Sequence, residues 1–310
     1  MKCTCACSAL AVFAFSPLAG AALMIPDSGA GDRIMLFNDF DGSLITQDWI
    51  TDVGAVGWFF TTPKEAIQVG NEIWVSDQIA DAIHRFDSNL SFIGSITAHP
   101  SGGSLDNLRG MHFDGSTVYL TFDHSTSAMQ GVAMYDTTGS PTGFFHNPGS
   151  LFDIAVHNGQ LLLSNSTSDD IEYYSFAGVF QGTFATDVDF PQQVSVLSDN
   201  SVLTVSSIAS AGVEGVYHYN ADGSLNLFID TEGLKGAFGE HVPRGAYLLG
   251  NGDYLIATSN GVYTYDVGSD TFALVVADVN AQYINFTNIP APGVLALLGL
   301  AGVAKRRRRM

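Results

Sequence analysis

Residues 65–96 read EAIQVGNEIWVSDQIADAIHRFDSNLSFIGSI, and this stretch decides the fold. Apolar and β-branched residues concentrate in four short runs, at 65–69, 73–76, 82–86 and 91–96. Turn signals such as Gly-Asn and Asp-Ser-Asn separate the runs, and the alternation in EIWV is typical of a half-buried strand. The stretch therefore predicts four short antiparallel strands joined by tight turns.

The same unit recurs along the chain about every 45 residues, which is the spacing of propeller blades. Equivalent strand pairs, each ending near an aromatic residue, begin at Leu23, Ile73, Val118, Leu161, Val202 and Tyr254. The first unit lacks a leading strand, and the lone strand QYINFTNI, residues 282–289, follows the last unit. Placed beside the first unit, this strand completes a sixth blade and removes a free sheet edge. The sequence predicts an all-β, six-bladed β-propeller over residues 22–289.

This architecture resembles the NHL-type six-bladed propellers. The resemblance rests on the repeat period and the strand pattern, and it spans most of the chain between the two terminal segments. It implies a fold and no particular activity, since propellers carry many unrelated functions.

The N-terminal segment reads MKCTCACSALAVFAFSPLAGA, residues 1–21, and has the pattern of a secretory signal peptide. Lys2 precedes an apolar run, and Ala19-Gly20-Ala21 offers small residues for cleavage. The three cysteines, Cys3, Cys5 and Cys7, all lie in this segment. The body is therefore expected to contain no disulfide, no thiol nucleophile and no cysteine-bound zinc.

The body between the terminal segments is strongly acidic. Of the 12 Lys and Arg residues, six lie at the two ends, as Lys2 and the five residues 305–309. Six basic residues then face all 31 acidic residues of the chain. Such a surface repels phosphate backbones, so we expect no nucleic-acid partner, and it is suited to solubility outside the cell.

The chain ends in IPAPGVLALLGLAGVAKRRRRM, residues 289–310. The apolar run Gly293–Ala304 spans roughly 18 Å as a helix, which is short of a hydrocarbon core of about 30 Å. The basic residues that follow favour the cytoplasmic side of a membrane. We therefore expect a short helix that projects from the propeller and holds the chain in a membrane during export. An ordinary tail anchor or stop-transfer span is the alternative.

This end resembles the PEP-CTERM sorting signal, in which a Pro-x-Pro motif precedes a short apolar span and an arginine cluster. The matching residues are Pro290, Ala291, Pro292, Lys305, Arg306, Arg307, Arg308 and Arg309, with Ala291 where the motif usually has Glu. The resemblance covers residues 290–310. It implies recognition by an exosortase, a membrane-embedded processing enzyme, and a final location at the bacterial cell surface or outside the cell. It also suggests exopolysaccharide or a surface protein as a partner.

The leading strand of each propeller blade lines the central channel. Six polar side chains stand near the entrances of these strands: Glu65, Arg109, Asp153, Gln192, Arg244 and Gln282. They are the candidate ligand or channel residues. We expect Arg109 and Arg244 to lie near the axis, within salt-bridge reach of Glu65 or Asp153. Binding of a small polar ligand or a cation by the same ring is the alternative.

Other polar motifs are better explained by the fold. The segment Phe37–Asp48 partly imitates a calcium-binding loop, but a similar segment recurs in other repeats and predicts a hairpin turn. Asp27, Asp77 and Asp123 end strands at matching positions and are expected to bond to nearby backbone. His84 and His218 occupy equivalent places in third strands, which predicts a position on the blade surface or in packing and not a ligand role. We predict no catalytic residue, no metal ligand and no cofactor.

These observations predict an exported, non-enzymatic propeller that serves as a binding or structural module for a glycan or another protein. The alternative is a propeller enzyme, lactonase-like or lyase-like, with a divalent cation such as calcium at the channel mouth. Such a site would need three or four converging acidic or amide ligands. A plain structural spacer is a third possibility and would lack a concave pocket.

Overall fold

A computed structural model describes residues 21–289 apart from 187, 208–213 and 235–240. It contains 24 strands in six four-stranded sheets, which we call blades 1 to 6. Within each blade the strands are antiparallel neighbours. The six-bladed β-propeller predicted from the repeat is therefore confirmed.

Blade 1 is formed by β1 (Ala22–Asp27), β2 (Arg33–Asn38), β3 (Leu44–Thr51) and the last strand, β24 (Asn285–Thr287). Blade 2 contains β4 (Pro63–Val69), β5 (Glu72–Asp77), β6 (Ala82–Phe86) and β7 (Phe92–Ile96). Blade 3 contains β8 (Leu108–Phe113), β9 (Thr117–Phe122), β10 (Gly131–Asp136) and β11 (Pro141–His146), with a 3-10 turn at Ser127–Met129.

Blade 4 contains β12 (Leu151–His157), β13 (Gln160–Asn165), β14 (Asp170–Tyr174) and β15 (Phe180–Ala185). Blade 5 contains β16 (Pro191–Val196), β17 (Val202–Ser206), β18 (Gly215–Tyr219) and β19 (Leu225–Asp230). Blade 6 contains β20 (Pro243–Leu248), β21 (Tyr254–Thr258), β22 (Gly261–Asp266) and β23 (Thr271–Ala277).

The ring is closed by the pairing of the last strand with the first. Thr287 pairs with Ala22 and Asn285 pairs with Met24, in antiparallel register. An isolated bridge between Asp27 and Ala281 continues this contact. The lone strand of the sequence thus takes the predicted place, and it leaves β1 with neighbours on both sides.

The core lies between the blades. The buried apolar side chains of the described residues form six clusters, and each cluster joins two neighbouring blades. Trp74, for example, lies on blade 2 and is fully buried against blade 3. Because both faces of every blade are covered, the inner parts of the strands are apolar on both sides instead of alternating.

Local polar contacts confirm most of the turn predictions. In the hairpin between β2 and β3, Asn38 Oδ1 accepts from the Phe40 backbone N–H at 2.8 Å, which is a turn contact. Asp77 accepts from the backbone N–H groups of Thr61 and Thr62 at 2.7 and 2.9 Å. Asp27 accepts from two backbone N–H groups in the same way, at 3.0 Å each.

The two equivalent histidines are packed inside the blades. His84 lies 2.9 Å from the hydroxyl of Ser95. His218 lies between the hydroxyls of Tyr254 and Ser201, at 2.7 and 2.8 Å. Both rings are buried, so of the two positions predicted, blade surface or packing, the structure shows packing.

The predictions for the two terminal segments concern residues outside the described part of the chain. The signal peptide, the predicted helix Gly293–Ala304 and the sorting residues Pro290 to Arg309 lie outside the described residues. Within residues 21–289, apart from the gaps given above, no helix is long and apolar enough to cross a membrane.

Candidate functional site

Six inner segments surround the axis of the ring, namely β4, β8, β12, β16, β20 and residues 281–287. Contacts between distant blades show that their side chains meet at the centre. Lys64 of blade 2 donates to the side-chain oxygens of Gln192 in blade 5 and Gln282 in blade 1, at 3.2 and 2.8 Å. The hydroxyl of Tyr283 in blade 1 donates to the Phe152 carbonyl in blade 4 at 3.3 Å.

The inner segments share one register, set by pairing with the neighbouring strand. In the five inner strands β4, β8, β12, β16 and β20 the first residue, such as Pro63 or Pro191, pairs with the last residue of the next strand. The second positions then hold Lys64, Arg109, Phe152, Gln192, Arg244 and Gln282. The third positions hold Glu65, Gly110, Asp153, Gln193, Gly245 and Tyr283. The side chains of the second positions form one layer across the channel, which we call the second layer. Those of the third positions form the adjacent layer, which we call the third layer.

A β-bulge at this point explains how both layers face inward. The pairing register shifts at the second or third position in each of β4, β8, β12, β16 and β20. A bulge breaks the alternation of side-chain directions and re-aims the side chains beside it. Lys64 and the adjacent Glu65 are accordingly both buried near the axis.

Side chains of the third layer join the blades to one another. Asp153 Oδ2 accepts from the Val194 backbone N–H of the next blade at 2.8 Å. Glu65 Oε2 accepts from the Met111 backbone N–H of the next blade. Gln193 reaches past blade 6 and exchanges two hydrogen bonds with the Ile284 backbone, at 2.7 and 3.0 Å. We call Glu65, Asp153 and Gln193 the staple layer.

The glycines of the third positions make room for these contacts. A Cβ on Gly110 would lie 2.6 Å from the Cα of Asp153 and would collide with its carboxylate. A Cβ on Gly245 would collide with the side-chain oxygen of Gln193. Glycine is therefore required where the backbone approaches a side chain of another blade this closely.

The second layer concentrates positive charge. Lys64 Nζ lies 4.6 Å from the ring centre of Tyr283, and the Arg109 guanidinium lies 4.1 Å from that of Phe152. Burial, and then the charges of Arg244 and Arg109, hold the pKa of Lys64 well below its usual range. We call Lys64, Arg109 and Arg244 the axial cationic cluster.

The structure corrects two expectations about this ring. Glu65 and Asp153 are not equivalent to Arg109, Gln192, Arg244 and Gln282, because they occupy the third position instead of the second. The predicted salt bridges are also wrong. Among the described residues Arg109 pairs with Asp123, at 3.3 Å, and no ion pair joins either arginine to Glu65 or Asp153. The two buried carboxylates are hydrogen-bonded to backbone N–H groups instead.

The same contact modifies the expectation for Asp123. Its Oδ1 accepts from the adjacent His124 N–H at 2.8 Å, which is the local backbone contact predicted. Its Oδ2 holds Arg109, so the residue also anchors a side chain of the axial cationic cluster.

Lys64 was missed by sequence reasoning, although a usable signal was present. Three inner strands begin with proline, as Pro63-Lys64-Glu65, Pro191-Gln192-Gln193 and Pro243-Arg244-Gly245. Alignment on these prolines places Lys64 beside Gln192 and Arg244.

On the other side of the staple layer the channel widens into a cavity of about 420 Å³. We call it the axial cavity. Glu65 lies among its lining residues, and its polar groups include Ser195, Ser198, Asp199 and Asn285. Tyr247 and Phe286 supply aromatic rings, and Phe286 is 45% exposed. A volume between about 300 and 1,000 Å³ is usual for small-molecule sites.

The ionisable groups of the cavity are mostly neutral near pH 7. Burial raises the pKa of Glu65 to about 8, against the lowering effect of hydrogen bonds from Asn285 and Met111. Burial lowers the pKa of His112 to about 4. Hydrogen bonds from Ser201 lower the pKa of Asp199, which stays ionised at the rim. The cavity therefore offers hydrogen-bonding groups, aromatic rings and a single negative charge.

The charge on Glu65 leads to a testable pH dependence. Its folded pKa is raised, so the protonated form stabilises the fold fully below pH 4.5, and this stability is lost as the pH rises through about 8. We expect the Glu65→Gln variant to lose less stability between pH 5 and pH 8.5 than the unmodified protein. Urea unfolding at the two pH values measures this.

The comparison removes the titration of Glu65 together with its electrostatic effect on its neighbours. The pKa of Asp153 is also raised, by burial and by Glu65, whereas Lys64 has a lowered pKa and makes the opposite contribution. Both groups remain in the variant. Identical pH profiles for the two proteins would show that Glu65 is ionised in the folded state.

The described residues contain no group of three or more His, Cys, Asp and Glu side chains placed to hold a metal ion. The enzyme alternative needs a divalent cation, and these residues contain no such group of ligands for it. The enzyme alternative remains a prediction.

Fold and axis together define the class: a six-bladed β-propeller whose channel is crossed by a staple layer, with a cavity on one side and a cationic cluster on the other. No family model matches the chain, and no curated protein matches it in sequence. A chain in a crystal structure of a nidogen/laminin complex is similar over 86% of this chain and 98% of that one, with 14% identity and a TM-score of 0.60.

Two further solved structures are similar. A protein of unknown function from Bacteroides caccae aligns over 85% of this chain and 97% of its own, with 10% identity and a TM-score of 0.56. A virginiamycin B lyase from Staphylococcus aureus aligns over 68% and 69%, with 9% identity and a TM-score of 0.47. At these identities the similarity to the nidogen/laminin chain and to the Bacteroides caccae protein shows the fold alone.

Proposed function

We propose that the protein is an exported binding module that takes a neutral or amino-substituted saccharide into the axial cavity. The observation that carries this proposal is the cavity itself, about 420 Å³ on the axis, with aromatic rings beside hydroxyl, amide and carboxylate groups. Aromatic rings pack against the apolar faces of a sugar, and the polar groups bond to its hydroxyls.

Charge favours this ligand class over an anionic glycan. Asp199 is the ionised group at the rim, and it is exposed. The rest of the body is strongly acidic. Both features repel uronate-rich or sulfated chains and attract amino groups.

The proposal also includes export and sorting. The signal-like residues 1–21 and the PEP-CTERM-like residues 290–310 support passage through a membrane, processing by an exosortase-like enzyme and a final place on the bacterial surface or outside the cell. The completed ring supports it further, because Ile289 is buried between blades 1 and 2 and ends the propeller. On this proposal residues 290–310 serve only to hold the protein in the membrane during sorting. A chain that ends at Ile289 tests this, because it should fold and be released.

Binding to oligosaccharides tests the cavity. We expect purified full-length protein to bind at least one of cello-, malto- or chito-oligosaccharides in calorimetric titration, and polygalacturonate not at all. Phe286→Ala should weaken binding about tenfold, since an aromatic contact contributes about 0.5–1.5 kcal/mol.

The matched control is Phe180→Ala, which removes an outward ring on β15 that is 52% exposed. This variant should bind like the unmodified protein. Equal loss in both variants, or binding that does not depend on Phe286, would place the ligand elsewhere.

A further inference from the structure

The axial cationic cluster lies on the opposite side of the staple layer from the axial cavity, at the end of the channel where the inner strands begin. We call this end of the channel the second mouth. Arg244 is its most unusual member. Its side chain is half-buried, and in the part of the chain that the structure describes it forms no hydrogen bond and no ion pair. Its Nε is fully buried without a partner.

Two neighbours in the second layer share this feature. Arg109 Nε and Gln192 Nε2 are buried and have no hydrogen-bond partner, although the two residues are 5% and 0% exposed. All three unpaired groups are N–H donors. A buried donor without an acceptor destabilises the fold, so the arrangement is unfavourable unless something supplies acceptors.

The nearby carboxylates do not supply them. Glu65 and Asp153 accept from the Met111 and Val194 backbone N–H groups, in the third layer. Asp153 Oδ1 is buried without a partner, but no hydrogen bond joins it to the donors of the second layer. Asp123 pairs with Arg109 through an Nη atom, and it leaves Nε of that residue and the whole of Arg244 unpaired. Three cationic side chains thus meet at one mouth with one ion-paired carboxylate among the described residues.

We propose that this mouth is a binding site for a small oxyanion, held by Arg244, Arg109, Lys64 and the amide of Gln192. An oxyanion carries acceptors only, and it would satisfy the three unpaired donors while neutralising the cluster. The half-buried Arg244 makes the cluster reachable from solvent, and the rings of Phe152 and Tyr283 shield it from water. The acidic surface excludes polyanions, so the ligand is small: a carboxylate, sulfate or phosphate.

This site does not depend on the saccharide proposal, because the staple layer separates it from the axial cavity. Among the described residues, the Arg244 side chain has no hydrogen bond and no ion pair, and this distinguishes a binding role for Arg244 from a structural one. If Arg244 were a structural residue, its removal would destabilise the ring. As a ligand residue that repels Lys64 and Arg109 in the free protein, it should be removable without loss, as is common for binding residues.

The experiment compares full-length protein with the Arg244→Gln variant in thermal unfolding. Sodium acetate, sulfate and phosphate are each titrated against sodium chloride at constant ionic strength. We expect at least one oxyanion to raise the melting temperature of the unmodified protein, and the preferred anion distinguishes a planar carboxylate from a tetrahedral ligand. Arg244→Gln should melt at the same or a higher temperature without the anion, and should weaken anion binding at least tenfold.

Arg85→Gln is the matched control. Its guanidinium is held by Glu72 at 2.8 Å on an outer part of blade 2, so its loss should leave the anion response intact. A stabilisation that follows ionic strength alone, or that survives Arg244→Gln, would overturn the proposal. So would a large loss of stability in the Arg244→Gln variant without anion, because it would show that the residue supports the fold.

Discussion

A chain that ends at Asn280 should fail to form a stable ring, whereas a chain that ends at Ile289 should fold like the full-length protein. The nine residues between the two ends include β24 and the axial residues Gln282 and Tyr283. Among them Ala281, Gln282, Tyr283, Ile284, Thr287 and Ile289 are buried.

The size of the effect follows from what is lost. Each buried large apolar side chain contributes about 1.5–3 kcal/mol, and three are removed with Tyr283, Ile284 and Ile289. The Lys64–Gln282 and Gln193–Ile284 hydrogen bonds break as well, and β1 becomes an open edge. The sum approaches the whole stability of a domain, which is about 5–15 kcal/mol.

Circular dichroism and gel filtration of the two truncated chains measure this difference. The chain ending at Ile289 also tests the sorting proposal, because it should be recovered from the culture medium instead of the membrane. A chain ending at Asn280 that is monomeric and melts at the normal temperature would show that strand closure is dispensable. A misfolded chain ending at Ile289 would show that residues 290–310 support the ring.

Among substitutions that add a single methyl group at the axis, Gly110→Ala should destabilise the fold most. Its Cβ would lie 2.6 Å from the Asp153 Cα and would collide with the carboxylate that bonds to Val194. Neither backbone can move without shifting a blade, and an unpaired buried carboxylate would remain. Overpacking costs about 1–3 kcal/mol and a lost buried hydrogen bond a similar amount, so we expect a loss of about 3 kcal/mol or more.

For a protein of this size the loss corresponds to a melting temperature roughly 10 °C lower. Gly233→Ala is the control, because no atom of the described residues lies within 4 Å of its added Cβ and its φ is not in the left-handed region. The control should change stability by less than about 0.5 kcal/mol. If the two variants have the same melting temperature, the third layer is packed less tightly than its contacts indicate.

The number of blades and the closure of the ring could be predicted from the sequence. Each blade is built from strands that are close in the chain, and turn residues such as Gly70 and Asn71 mark where they reverse. Local alternation and turn chemistry therefore suffice to delimit them. The lone strand at 282–289 was recognisable because every other unit already had four strands.

The arrangement at the axis could not be predicted in the same way. The bulge that places Lys64 in the second layer depends on pairing with β5, and no local pattern marks it. The strand pattern alone predicts Glu65 and Asp153 in one ring with the arginines, within salt-bridge reach. In the structure they bond to backbone N–H groups of the next blade, because those donors are also buried and need acceptors.

The sequence by itself determined the fold class, the blade boundaries and the acidic character of the body, since each depends on local pattern or on composition. Only the tertiary structure decided which side chains meet at the centre. Lys64 and Gln192 are 128 residues apart, and Glu65 and Asn285 are 220 apart. Contacts over such separations depend on the closing of the whole ring, which sets the register of all six inner segments together.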